Sequence, residues 1–96
     1  MIPPRYRERA KHLRGVMRGL SGVDVKNPSR KRIYVVPRAM IAHVLIREGC
    51  TTLQVGALLG KNHATISHYK DLMADFLSSP GYEAERELWT TFKNAI

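Results

Sequence analysis

The chain has 96 residues, of which 44% are hydrophobic and 25% charged, which fits one globular domain with a modest core and argues against a disordered chain. No apolar run approaches the roughly 20 residues of a membrane span. The start lacks the apolar stretch of a signal peptide, and a single cysteine excludes an internal disulfide framework, so we expect a cytoplasmic protein with no membrane partner.

The positive charge is concentrated in the first half of the chain. The net charge is +8, and residues 1–48 carry 12 of the 16 Lys and Arg but only 3 of the 8 acids. Such a basic half attracts polyanions, of which nucleic acid is the commonest. A membrane surface or an acidic partner stays open on charge alone.

The first predicted element is an amphipathic helix over about 5–20. Apolar residues recur there at the i, i+3, i+4, i+7 spacing of one helix face, at Leu13, Val16, Met17 and Leu20. Gly22 suits the left-handed position that follows a helix end.

The stretch Val23–Val36 is predicted to be an irregular connection. Its β-branched run Ile33–Val36 has no partner strand elsewhere in the sequence, and a lone strand leaves its backbone hydrogen bonds unpaired. Pro37 is predicted as the first residue of the second helix, because proline lacks the N–H that would be unpaired there. This helix is expected to run to about Arg47.

Two helices separated by a glycine follow. The third helix is capped by Thr51 or Thr52 and ends at Gly60, and the fourth is capped by Asn62 and continues to about Leu77. Thr and Asn are favoured at these positions because their side-chain oxygens accept hydrogen bonds from the free N–H groups of the first turn.

A break at 78–81 precedes the last predicted helix. From about residue 82 the chain carries an apolar stripe at helical spacing, Leu88, Trp89, Phe92 and Ile96. The predicted fold is therefore all-α, with about five helices in one domain over 1–96. We expect its core over about 13–77 and an accessory C-terminal helix over about 82–96.

The stretch Thr52–Tyr69 has the internal spacing of a helix-turn-helix. Two short helices that cross steeply need a small residue at the contact, which Gly56 supplies, and a turn residue tolerant of positive φ, which Gly60 supplies. Apolar residues that would pack both helices against the core stand at the offsets from Gly56 that such units use: Val55, Leu59, Ile66 and Tyr69. Lys61 departs from the pattern, since an apolar residue is usual there.

The start of the fourth helix supplies the candidate DNA base contacts. If Ile66, Tyr69, Lys70 and Met73 face inwards, the 100° step per residue turns the opposite face outwards, and in helix-turn-helix docking this end enters the major groove. The candidates are Asn62, His63, Ala64, Thr65, Ser67 and His68. Two alternatives stay open: Asn62 is a plain helix cap, and His63 packs against the preceding helix.

A basic loop supplies the candidate contacts to the DNA backbone or minor groove. The run Ser29–Arg32 precedes the second helix, and a basic arm can reach phosphates or an adjacent minor groove. A solvated charge run is the alternative. No acid lies between Lys61 and Lys70 to repel phosphate. The backbone candidates are Arg30, Lys31, Arg32, Arg38, Lys61 and Thr52.

These residues resemble the C-terminal DNA-binding domain of the bacterial replication initiator DnaA. The run Ser29-Arg30-Lys31-Arg32 is similar to that family's basic loop, and Val36-Pro37-Arg38 to its Pro-Arg helix start. The run from Leu59 to Ile66 is similar to its signature, close to Gly-Gly-Arg-Asp-His-Thr-Thr-Val, with His68 matching a later histidine. The likeness covers roughly Leu13 to Met73.

The resemblance implies a DnaA-like or Trp-repressor-like helical domain whose signature helix reads the major groove while the basic loop enters the minor groove. It further implies a replication- or transcription-related role, in a free-standing relative from a bacterium, phage or mobile element, near the nucleoid. Asn62 stands where the family has an aspartate, Ala64 where it has a threonine, and one turn glycine is missing. The preferred DNA sequence is therefore expected to differ.

Rival functions find less support in the sequence. His12, His43, His63, His68 and Cys50 lack metal-ligand spacing and an orienting third group, so we expect no catalysis, metal or cofactor. No Gly-x-x-x-x-Gly-Lys-[Ser/Thr] loop is present, so we expect no nucleotide. The alternatives left open are RNA binding through the basic first helix, and a homodimer or protein partner bound through the stripe Leu88, Trp89, Phe92 and Ile96.

Overall fold

The computed structural model describes residues 2–96, and Met1, the first residue of the predicted domain, lies outside them. Five helices follow one another: α1 Pro4–Ser21, α2 Arg32–Arg47, α3 Thr52–Leu59, α4 His63–Ser78 and α5 Glu83–Ala95. The described residues contain no strand, which confirms the predicted all-α fold of five helices. None of these helices is both long and apolar enough to cross a membrane.

The second helix begins five residues earlier than predicted. It starts at Arg32, where the Lys31 carbonyl accepts hydrogen bonds from the N–H groups of Tyr34 and Val35, and Pro37 lies inside it. The placement of Pro37 at the helix start was therefore wrong. The bond lost at Pro37 would have gone to the carbonyl of Ile33, whose residue is 60% exposed, so water can replace it. The β-branched run joins a helix because Val36 is buried there.

The core forms around α2, which is the most buried helix. Nine of its residues are buried, and α1, α3 and α4 pack against it. From α1 the core receives Ala10, Leu13 and Met17, while Leu20 of the predicted stripe is 39% exposed. The inward face of α4 consists of Ile66, Tyr69, Met73 and Phe76. Lys70 is exposed, so its predicted inward orientation was wrong.

The last helix closes the bundle at the end of α4 that is remote from the turn. Trp89 is 6% exposed and Phe92 fully buried, so the two aromatic residues of the predicted stripe belong to the chain's own core. The rings of Phe76 and Tyr82 meet edge to face at 5.2 Å. Arg86 donates to the carbonyls of Phe76 and Ser79. Leu88 and Ile96 stay half-exposed.

The crossing of α3 and α4 depends on Gly56. A Cβ at this position would lie 2.6 Å from the Lys61 carbonyl oxygen, a distance that Cβ atoms essentially never show to such an atom. The chain turns between the helices through Gly60, whose φ is 67°. The N–H of Lys61 donates to the Gly56 carbonyl at 2.8 Å, which closes the turn. The predicted roles of both glycines are confirmed.

Gly56→Ala is expected to destabilise the protein by about 1–2 kcal/mol. Overpacking against the Lys61 carbonyl costs about 1–3 kcal/mol, and the better helix propensity of alanine offsets only about 0.5–1 kcal/mol. The matched control is Gly15→Ala in α1, where a Cβ meets nothing within 4 Å and stability should rise. Urea unfolding measures both, and equal effects of the two substitutions would contradict the role of Gly56.

His43 gives the fold a dependence on pH. Its Nε2 is buried without a hydrogen-bond partner among residues 2–96, and its ring packs edge to face on Trp89 at 5.1 Å. Burial, and then the charge of Arg47, lower the pKa of His43 below its usual value. The folded chain therefore holds this ring neutral where the unfolded chain takes up a proton.

The free energy of unfolding should therefore fall as the pH drops below about 6.5, and more steeply in the wild type than in His43→Leu. Above that pH both states hold the ring neutral, so the slopes should agree. Urea unfolding over a pH series measures the two slopes. The same slope in both proteins below about pH 6.5 would show that His43 does not cause the pH dependence of the stability.

Candidate nucleic-acid interface

The first turn of α4 is fixed by Asn62. The Asn62 Oδ1 atom accepts hydrogen bonds from the backbone N–H of Thr65 at 2.8 Å and from the Thr65 hydroxyl at 3.0 Å. To bind an adenine edge through both its oxygen and its nitrogen, the Asn62 amide would need this same Oδ1 atom. Of the two roles left open for Asn62, the structure therefore shows the helix cap.

His63 joins the first turns of α3 and α4. Its Nδ1 shares a hydrogen bond with the Thr52 hydroxyl, with 3.2 Å between the two atoms. His63 is nevertheless exposed and Thr52 half-buried, so both remain at the surface. The expected contact of His63 with the preceding helix is present, and the Nε2 atom has no hydrogen bond within the described part of the chain.

The outer face of the start of α4 is open to solvent. Ala64 and His68 are exposed, and Thr65 and Ser67 are half-buried. The last helix contacts α4 near Phe76, several turns away, and does not cover this face. Because the free N–H groups at a helix start carry partial positive charge, this end favours an anionic partner.

Basic residues surround this end of α4. A concave surface next to the turn is lined by ten residues, none of them acidic: Arg30, Val35, Arg38, Gly60, Lys61, Asn62, Ala64, Thr65, His68 and Tyr69. Desolvation, followed by the positive charges of Arg38 and Arg30, lowers the pKa of Lys61. The surface is therefore positively charged without a neutralising carboxylate.

Arg38 is not a surface contact. It is 1% exposed, and its guanidinium donates to the carbonyls of Val25 at 2.8 Å, of Ser29 at 2.7 Å and of Asn27. The donors of Arg38 are thus engaged inside the protein, and the structure does not show the predicted surface position for a contact to the DNA backbone. Arg38 instead holds the loop before α2, and so places Arg30 beside the start of α4.

The other basic residues of the predicted loop, Lys31 and Arg32, do not line this concave surface. Arg32 begins α2, and its Nη2 donates to Glu85 Oε1 of α5 at 2.8 Å, which lowers the pKa of Glu85. Its guanidinium lies 5.6 Å from the Phe76 ring. Lys31 is exposed at the N-cap of α2. Of the predicted loop contacts, only Arg30 lines the concave surface next to α4.

The residues considered for catalysis do not form a metal centre. No group of three or more His, Cys, Asp or Glu that could hold a metal ion exists among residues 2–96. Cys50 is 5% exposed, and burial raises the pKa of its thiol, whereas a nucleophilic cysteine needs a lowered one.

Comparison of the chain with protein-family models, curated proteins and solved structures found no match. The functional argument therefore depends on the geometry and charge of this surface. The buried arginine is the feature that sequence reasoning missed. The only signal for Arg38 was its position after Pro37, which does not distinguish a buried arginine from an exposed one.

Arg38→Met should destabilise the protein by about 3 kcal/mol, because several loop carbonyls lose a charged donor. Arg38→Lys should recover little of this, since an ammonium group cannot reach three carbonyls in the planar arrangement of a guanidinium. The control is Arg32→Met, which breaks a largely exposed ion pair and should cost less than about 1 kcal/mol. Thermal unfolding that ranks Arg32→Met as the more damaging change would refute this role of Arg38.

Proposed function

We propose that this protein binds duplex DNA, with the start of α4 in the major groove and Arg30 and Lys61 on the flanking phosphates. The observation that carries the proposal is the open outer face of the first two turns of α4, beside a basic concave surface that no acidic residue lines. A helix of about 10–12 Å diameter fits the major groove, which is about 12 Å wide. A replication- or transcription-related role, as in the DnaA family that the motif resembles, is part of this proposal.

The roles of the residues divide by chemistry. Arg30 and Lys61 offer charge, which binds phosphate without reading sequence. Ala64, Ser67 and His68 offer a methyl group, a hydroxyl and an imidazole, which can touch base edges. Asn62, Thr65 and Thr52 hold the helix starts in place through their hydrogen bonds, and His63 presents its remaining ring nitrogen.

The charge at this surface supports a nucleic acid over a protein partner. The apolar stripe that could have bound a protein has its two large aromatic residues, Trp89 and Phe92, in the core. At the start of α4 the exposed residues are Asn62, His63, Ala64 and His68, of which Ala64 alone is apolar. Structured RNA, the other polyanion considered, has a deep and narrow major groove that side chains cannot enter.

The test is a selection from random duplexes followed by binding measurements on the enriched sequence over a range of salt concentrations. We expect an enriched motif. Arg30→Gln with Lys61→Gln should weaken binding to every duplex and reduce the slope of log K against log salt by about 0.9 per lost phosphate contact. His68→Ala should cost about 1–3 kcal/mol on the enriched sequence and relax the preference at one position.

The charge-matched control is Arg47→Gln with Lys93→Gln, since these side chains line a different concave surface beside Trp89. It should leave binding almost unchanged. Equal losses in both double variants would reduce the interaction to net charge. Competition by hairpin RNA at concentrations where duplex DNA fails to compete would overturn the proposal in favour of RNA.

A further inference from the structure

A stripe of four basic residues runs along α1. Arg7, Lys11, Arg14 and Arg18 follow the i, i+4, i+7, i+11 spacing that places side chains on one face of a helix. Arg7 and Arg18 are 11 residue steps apart, which at 1.5 Å per residue is about 16 Å. Arg14 is half-buried and the other three are exposed. We call these four residues the α1 stripe.

The α1 stripe has no acidic partner within residues 2–96. Arg9, on a different face of the same helix, binds Glu48 with its Nε and Nη2 atoms at 2.8–3.2 Å. The ion pairs of the described chain involve Arg9, Arg32 and Arg86 and no member of the stripe. One cation of α1 is therefore paired with a carboxylate, and the row of four makes no ion pair.

The stripe is continuous with the surface around α4. Arg14 lines a concave surface with Lys26 and Lys61, and this surface includes no acidic residue. Lys61 and Gly60 also line the concave surface at the start of α4. Cations thus follow one another from Arg30 through Lys61 and Lys26 to Arg14, and onwards along α1.

We propose that the α1 stripe, together with Lys26, is a second phosphate-binding surface that engages the duplex beyond the segment contacted by α4. The inference rests on the proposed function. A duplex carries one negative charge per about 1.7 Å of its axis, so a length of about 16 Å contains about nine phosphates, of which the row faces those on one side of the duplex. Evenly spaced cations bind such a backbone without reading its sequence.

An anionic membrane is a poorer partner for this helix. A helix that lies on a bilayer inserts an exposed apolar face between the lipid headgroups. The apolar face of α1 is instead committed to the core, where Ala10, Leu13 and Met17 are fully buried. Leu20, at 39%, is the one large apolar residue of α1 that is exposed, so the helix offers a row of charges but little free apolar surface, which suits a hydrated polyanion.

The experiment compares two duplexes that carry the same central sequence, one of about 10 base pairs and one of about 20. The half-sites of helix-turn-helix dimers are spaced by one helical turn, about 34–36 Å or 10 base pairs, so the short duplex holds a single unit. The test variant is Lys11→Gln with Arg18→Gln, two exposed residues outside the concave surface next to α4. Gln has a helix propensity close to that of Lys and Arg, so α1 should persist.

We expect the wild type to bind the longer duplex with the larger salt slope. The test variant should lose up to about 1.8 of that slope, or about 0.9 for each of two phosphate contacts, and should bind the short duplex almost as the wild type does. Arg47→Gln with Lys93→Gln is again the control for the removal of two charges. Circular dichroism and thermal unfolding confirm that each variant is folded.

The outcomes separate the two proposals. If the wild type binds both duplexes and the test variant keeps the full slope on the longer one, the α1 stripe is not a phosphate contact, and the proposed function stands. If the wild type binds neither duplex, both proposals fall. If the test variant loses affinity for hairpin RNA or for phosphatidylserine vesicles while its duplex binding is unchanged, the stripe serves that partner and the inference is overturned.

Discussion

The arrangement of the candidate interface depends on a charge buried inside the protein. Arg38 lies on the central helix α2 and binds the carbonyls of Val25, Asn27 and Ser29 with a single planar group. A buried guanidinium without such partners would be strongly destabilising, so these contacts are also a condition for folding. The loop is thereby held at a defined position, and Arg30 comes to lie beside the start of α4.

The second constraint is steric, at the crossing of α3 and α4. Because Gly56 has no side chain, the Lys61 carbonyl can approach its Cα closely and the turn stays short. That approach fixes the direction in which α4 leaves the turn. Its later turns pack against α2 and α5, while Asn62 caps its first turn at the surface. Packing and exposure are divided between two faces of this helix: Ile66, Tyr69, Met73 and Phe76 face the core, while Ala64 and His68 are exposed.

Most of the secondary structure could be predicted from local chemistry. Gly22 and Gly60 end helices in the left-handed conformation, and Thr51 and Asn62 cap the helices that follow them. The exception is the start of α2, where a proline and a β-branched run indicated a loop. The structure instead continues the helix through this segment, and Val36 and Pro37 are both buried within it. Propensity is a weak guide wherever a residue enters the core.

The sequence by itself determined the all-helical class, the helix-turn-helix spacing and the excess of positive charge in the first half of the chain, because each follows from residues close together along the chain. Only the tertiary structure decided which cations share a surface. Arg30 and Lys61 meet beside α4, Arg32 pairs with Glu85, and Arg38 is buried. The partners of these side chains come from distant segments, and an arginine looks the same in a sequence whether it faces water or three carbonyls.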